Sequence, residues 1–154
     1  MQRFIMMIGP SGSGKSTYAA SLASALKAIG EDVVVLSSDN IREELYGDAN
    51  NQQNPAQVFR LMNERTYSAI MEGRSVIYDA TNLIRERRVE MLKKIDSLCP
   101  NVCFEAYWFT PSVDECIRRQ SIRDRHVPAH VVERQYHQLQ APNYDEGWNV
   151  IYHK

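Results

Sequence analysis

Gly9-Pro10-Ser11-Gly12-Ser13-Gly14-Lys15-Ser16-Thr17 is the stretch on which the reading of this chain turns. It fits the pattern G-x-x-x-x-G-K-[ST], and its flanks are the ones that give that pattern meaning. Arg3 to Ile8 reads as a short buried strand ahead of it, and Ser16 to Ile29 reads as a helix closed by Gly30. In a strand, glycine turn and helix arranged this way, the glycines let successive backbone N–H groups point inward. The helix start adds partial positive charge, so the turn is expected to hold phosphate oxygens. Ser11, Gly12, Ser13 and Gly14 line the cradle and Lys15 supplies charge to the β and γ phosphates. The Ser16 hydroxyl is placed to ligate Mg²⁺, and Thr17 supports the turn. The plain alternative is a tight turn with a solvated lysine.

Outward from the turn, strands and helices alternate. Val33 to Leu36 is a β-branched run suited to a second strand, followed by a short helix through Leu45 and an Asn/Gln-rich loop from Asp48 to Pro55. Pro55 opens a helix that runs to Gly73, and Ser75 to Tyr78 is a third strand. Arg85 to Leu98 is a helix and Val102 to Phe109 a fourth strand. Pro111 opens a helix reaching about Arg123, Pro128 to Leu139 is another, and Trp148 to Tyr152 is the fifth strand. The expected fold is α/β, a five-stranded mostly parallel sheet with helices on both faces and the ligand site beyond the strand carboxyl ends. At 154 residues the chain is expected to form one domain, residues 1–154.

Composition narrows the classes further. Eighteen Lys and Arg against nineteen Asp and Glu leave a net charge of −1, so any polyanion site is a local patch. The apolar run from Phe4 to Ile8 is too short to span a membrane, nothing after it resembles a cleavage region, and a cytoplasmic protein is expected. Cys99, Cys103 and Cys116 lack C-x-x-C spacing and read as reduced structural residues rather than a disulfide or zinc set. Trp148 reads as closing the last strand on the core rather than as a stacking platform.

Phosphoryl transfer passes through a loose transition state, so a protein that performs it needs one carboxylate to position the acceptor and cations to meet spreading negative charge. Asp39 follows the second strand at the same carboxyl edge as the turn, where it can take a hydroxyl proton. Arg42 lies three residues on. Helix capping is the competing role for Asp39. Asp79 ends the third strand, where it can reach Mg²⁺ through water or brace the site. Arg118, Arg119, Arg123 and Arg125 crowd eight residues and suit a lid over a nucleotide, over about 118–128. Arg85, Arg87, Arg88, Lys93 and Lys94 form a second basic cluster, either a track for an acceptor backbone or an exposed face with charge pairs.

These motifs together resemble the kinase domain of phage-type polynucleotide kinases, within the P-loop NTPase superfamily. The carriers are Gly9 to Thr17, Ser38-Asp39-Asn40-Ile41-Arg42, Asp79-Ala80-Thr81-Asn82 with Glu86-Arg87-Arg88, and Arg119 to Arg123 leading to Val127-Pro128. The resemblance implies that ATP with Mg²⁺ donates its γ-phosphate to the 5′-hydroxyl end of DNA or RNA, with Asp39 as general base. It implies that Arg42 reads the neighbouring acceptor phosphate, Asp79 supports the site, Arg123 contacts nucleotide phosphates, and Arg119 takes a second lid position. The chain lacks the D-x-D-x-T mark of the phosphatase domain found in many such proteins. A small-molecule or nucleoside kinase, and a non-catalytic nucleotide-binding regulator, are the alternative readings.

Overall fold

Strand β1 (Arg3–Ile8) is buried at every residue after Arg3, because it occupies the centre of the sheet. A computed structural model describes residues 1–123 and 127–154 of the protein. In it β1 is flanked by β3 (Ser75–Asp79) and β4 (Cys103–Trp108). Strand β2 (Val33–Ser37) lies outside β3, and β5 (Val150–His153) lies outside β4. Every neighbouring pair is parallel.

The alternation along β1 sends its side chains into two apolar clusters, one on each face. Ile5 and Met7 pack with Ala19, Ala23 and Leu26 of α1 (Lys15–Ala28). Phe4, Met6 and Ile8 share the other cluster with Ile41 of α2 (Ser38–Tyr46), with Val58, Met62 and Ile70 of α3 (Pro55–Met71), and with Leu92 and Ile95 of α4 (Arg85–Leu98). Each large apolar side chain buried in this way contributes about 1.5–3 kcal/mol, so these two layers hold the sheet in register. Helices α5 (Val113–Ser121) and α6 (Ala129–Gln138) pack against each other.

Register sets the site. Met7 pairs opposite Asp79, and Asp79 opposite Ser37, so β1, β3 and β2 run out level at one edge. The Gly9 N–H then donates to the Thr81 carbonyl at 3.0 Å, tying the loop after β1 to the loop after β3.

Several elements differ from the expectations. Strand β5 begins at Val150, since Trp148, 4% exposed, turns into the core and Asn149 brackets Phe104 with two hydrogen bonds of 2.8 and 2.7 Å. Helix α5 begins at Val113 because Ser112 caps it, accepting from the Glu115 N–H at 3.2 Å. A 3₁₀ turn, Tyr144–Glu146, sits where no element was expected, closed by a reciprocal capping box between Asn143 and Glu146.

Candidate active site

The loop from Gly9 to Thr17 joins the central strand to α1, and the backbone there needs glycine. Gly12 and Gly14 hold φ of +81° and +97°, a region L side chains rarely adopt. A Cβ on Gly12 would also lie 2.4 Å from the Cys116 carbonyl oxygen of α5. Helix α1 carries no side-chain cap and no acidic residue in its first turn, so no carboxylate of its own offsets the partial positive charge of its start. Lys15 is 7% exposed, and its ammonium donates to the Pro10 carbonyl at 2.8 Å, closing the turn on itself.

Burial pushes the Lys15 ammonium below the ordinary lysine range, and the nearby Asp79 and Asp39 carboxylates pull it back only in part. Asp79 shows the mirror image. Burial raises its pKa, opposed by Lys15 and by the Ser16 hydroxyl, which donates to Asp79 Oδ2 at 2.7 Å. A hydroxyl and a carboxylate held that close are hard oxygen donors of the kind Mg²⁺ takes, so the pair fits the metal expected there.

Across the cleft, Ser37 rather than Asp39 caps α2, accepting from the Asn40 N–H at 3.4 Å. Asp39 sits in the first turn with half its side chain exposed, and the capping role considered for it is not the one it plays. Its Oδ1 accepts from Arg42 Nη1 at 3.1 Å. Arg42 is 8% exposed and packs 5.8 Å from the centre of the Phe59 ring, and its Nε is buried without a hydrogen-bond partner among the described residues. An unsatisfied guanidinium N–H costs free energy, which an incoming anion would recover.

The arginine-rich stretch divides. Arg118 turns away to Glu115, at 2.9 and 2.6 Å. Arg119 donates to the same carboxylate at 2.9 Å and also to the Gly12 carbonyl at 3.3 Å, which puts one guanidinium on the glycine turn. Arg123 lines the cleft that Lys15, Asp39 and Asp79 share, and its charge acts on both Lys15 and Asp79. Asp124, Arg125 and His126 lie outside the described residues, and with them part of the expected lid. The cleft measures about 1410 Å³, and Ser11, Gly12, Gly14, Ser16, Thr17 and Arg119 border it with these residues. Ser13 does not border it. It is 4% exposed, and its hydroxyl is buried behind the turn without a partner among the described residues.

The second basic cluster is broken up by the fold. Arg88 is 1% exposed and pairs with Glu146, and Arg85 pairs with Asp145 at 2.6 Å. Neither the continuous track nor the self-paired helix face survives in that form, because both partners come from the 3₁₀ turn far along the chain. Arg87 and Lys94 remain at the cleft edge. One contact had no sequence signal at all: Gln135 of α6 accepts a hydrogen bond from the Ser11 N–H at 2.8 Å.

A model of the AAA domain family matches residues 4–142. Solved structures share the α/β fold of P-loop kinases. A candidate kinase from Chloroflexus aurantiacus superposes with a TM-score of 0.77 at 17% identity, over 99% of this chain and 84% of that one. A chain of the Pnkp1/Rnl/Hen1 RNA repair complex gives 0.70 at 20%, over 90% of this chain and 44% of that one. The APS kinase CysC of Mycobacterium tuberculosis, solved with AMPPNP and APS, gives 0.65 at 21%, over 99% and 88%. At these identities the likeness is one of fold.

Proposed function

The chain belongs to the AAA domain family, and from that premise we propose that it is an ATP-dependent kinase that phosphorylates the 5′-hydroxyl end of a polynucleotide. The observation that carries this reading is the Asp39–Arg42 pair facing the glycine turn. It offers a carboxylate for a hydroxyl proton, and beside it a buried guanidinium whose Nε waits for an acceptor. An acceptor that carries a phosphate next to its reacting hydroxyl satisfies both groups, whereas a neutral polyol leaves the Arg42 Nε unpaired.

In this reading the turn and Lys15 hold the triphosphate, while Arg119 and Arg123 approach it from the lid side. Asp39 takes the proton of the acceptor hydroxyl as its oxygen bonds to the γ-phosphorus. The bond from that phosphorus to the bridging oxygen breaks, and ADP leaves with the electron pair. Ser16, with Asp79 behind it, would hold Mg²⁺. The metal, when bound, offsets charge on the β and γ oxygens.

The test is transfer of label from γ-labelled ATP to 5′-hydroxyl DNA and RNA oligonucleotides, run beside nucleosides and small sugars. Labelled oligonucleotide, with Arg42→Ala losing far more rate on it than on a nucleoside, supports the reading. Label on a small acceptor alone points instead to a small-molecule kinase, the class to which the similar APS kinase fold belongs.

A further inference from the structure

Resting on the kinase reading above, we propose that Gln135 of α6 is a catalytic residue whose side-chain amide donates from Nε2 to the phosphoryl group as it transfers.

The Ser11 N–H, at the third position of the glycine turn, donates to Gln135 Oε1 at 2.8 Å across 124 residues of sequence. A backbone N–H can only donate, so it fixes which way the amide faces: the oxygen must point at the turn. The other half of the same planar group, Nε2, then points away from the Ser11 N–H with two donors, and it has no partner among the described residues. Gln135 borders the cleft together with Lys15, Asp39 and Arg123.

The residue is held, rather than carried on a loose arm. Val132, one turn earlier on α6, is fully buried. Ahead of the helix the Val127 N–H donates to Gln120 Oε1 at 2.9 Å. Behind it the Gln140 N–H donates to the Leu83 carbonyl at 2.9 Å, and Gln140 Oε1 accepts from the Arg85 N–H at 2.7 Å. A donor placed in this way, and oriented by the cradle that grips the phosphates, meets the requirement for charge stabilisation without reorganisation. The three equatorial oxygens of the moving phosphoryl share the growing charge. Lys15 and Arg123 are cations, and Gln135 adds a neutral donor from the α6 side.

A humbler role exists for the same contact: Gln135 could simply satisfy the Ser11 N–H. Two variants separate the roles. Gln135→Glu keeps an acceptor for the Ser11 N–H, and a stronger one, but replaces the donor with a carboxylate oxygen. Gln135→Ala removes both. Each is measured for its thermal midpoint, for Mg·ADP affinity with and without aluminium fluoride as a mimic of the phosphoryl in flight, and for kcat. We expect both variants to fold, Gln135→Ala to bind ADP close to the wild type, and Gln135→Glu to bind it more weakly because its carboxylate faces the phosphates, so the fluoride-dependent gain of each variant is read against its own ADP affinity. Both should lose the fluoride-dependent gain in affinity, with kcat down by about 10²–10³. A Gln135→Glu protein that keeps wild-type kcat and the fluoride gain overturns the proposal, as does a wild type with no fluoride gain. If the wild type shows the gain but labels no oligonucleotide, the acceptor reading fails, and the fluoride measurement still decides the role of Gln135.

Discussion

Arg88 and Glu146, 58 residues apart, form a two-bond ion pair sealed from solvent, with Nε to Oε1 at 2.8 Å and Nη2 to Oε2 at 2.9 Å. The pair does more than join α4 to the 3₁₀ turn. Arg88 Nη1 donates to the Asn82 carbonyl at 2.9 Å, and the Asn82 amide donates to the Met7 and Ala80 carbonyls at 2.6 and 3.1 Å. Trp148 Nε1 donates to Glu146 at 3.1 Å. The loop that follows Asp79 is thereby anchored to the approach of the last strand.

Removing one member leaves a buried charge without a counterion, so Glu146→Gln should cost about 3–5 kcal/mol of unfolding free energy at neutral pH. Burial pushes the Glu146 carboxyl up, but Arg88, Trp148 and the Asn143 N–H outweigh it, and the net displacement is downward. A depressed carboxylate contributes stability in full above the ordinary Glu value of about 4.3 and loses it as pH falls through the folded value. Denaturant titrations should therefore show the gap between wild type and variant narrowing below about pH 4. A gap independent of pH would mean that the carboxylate charge is not what matters.

Asp39 is the proposed base and only half buried, so replacing it should spare the fold. Asp39→Asn should lower the transfer rate by about 10²–10⁴ while leaving the Mg·ATP dissociation constant nearly unchanged. Parallel kinetics and calorimetry check both halves. Slow loss of ATP to water that Asp39→Asn leaves unaltered, with no transfer to any acceptor in the wild type, would favour a regulator over a kinase.

Gly12→Ala should damage the site through two independent effects. The new Cβ would meet the Cys116 carbonyl at 2.4 Å, and φ of +81° costs a side chain about 1–2 kcal/mol. Either α5 shifts, drawing Arg119 off the Gly12 carbonyl, or the turn does. Thermal melts and nucleotide titrations should both register the change, with weaker ATP binding than in a control substitution at the open Gly47.

Lys15 gives a pH signature. Its ammonium holds its proton less tightly in the folded chain than in the unfolded one, so burial of the charge costs stability below its lowered pKa, and that cost is relieved as pH rises. A triphosphate beside it reverses the direction and pulls the pKa up. On the alkaline side Mg·ATP binding should therefore take up a proton, visible as a dependence of calorimetric heat on buffer ionisation. Lys15→Met should abolish that uptake and lower kcat by at least about 10².

The alternation of strands and helices, the parallel sheet and the glycine turn were legible because apolar runs and turn residues are local signals, whereas the strand order and the register that levels β1, β2 and β3 are set by packing between distant segments. Roles that depend on distant partners were not. Arg88 looked like one cation of a surface cluster, and only the 3₁₀ turn carrying Glu146 makes it a core residue. Asp39 was the cap that spacing offered, and the backbone placed Ser37 there instead, two residues earlier. Gln135 sits in a helix with no motif around it, and its meaning comes wholly from Ser11, 124 positions earlier.

Isothermal titration of the protein with Mg·ATP decides whether the turn from Gly9 to Thr17 grips a triphosphate with its metal. Saturable uptake of one nucleotide per chain, dependent on Mg²⁺ and lost in Lys15→Ala, is the expected result. Absence of binding heat in the wild type, or equal binding by Lys15→Ala, would contradict it.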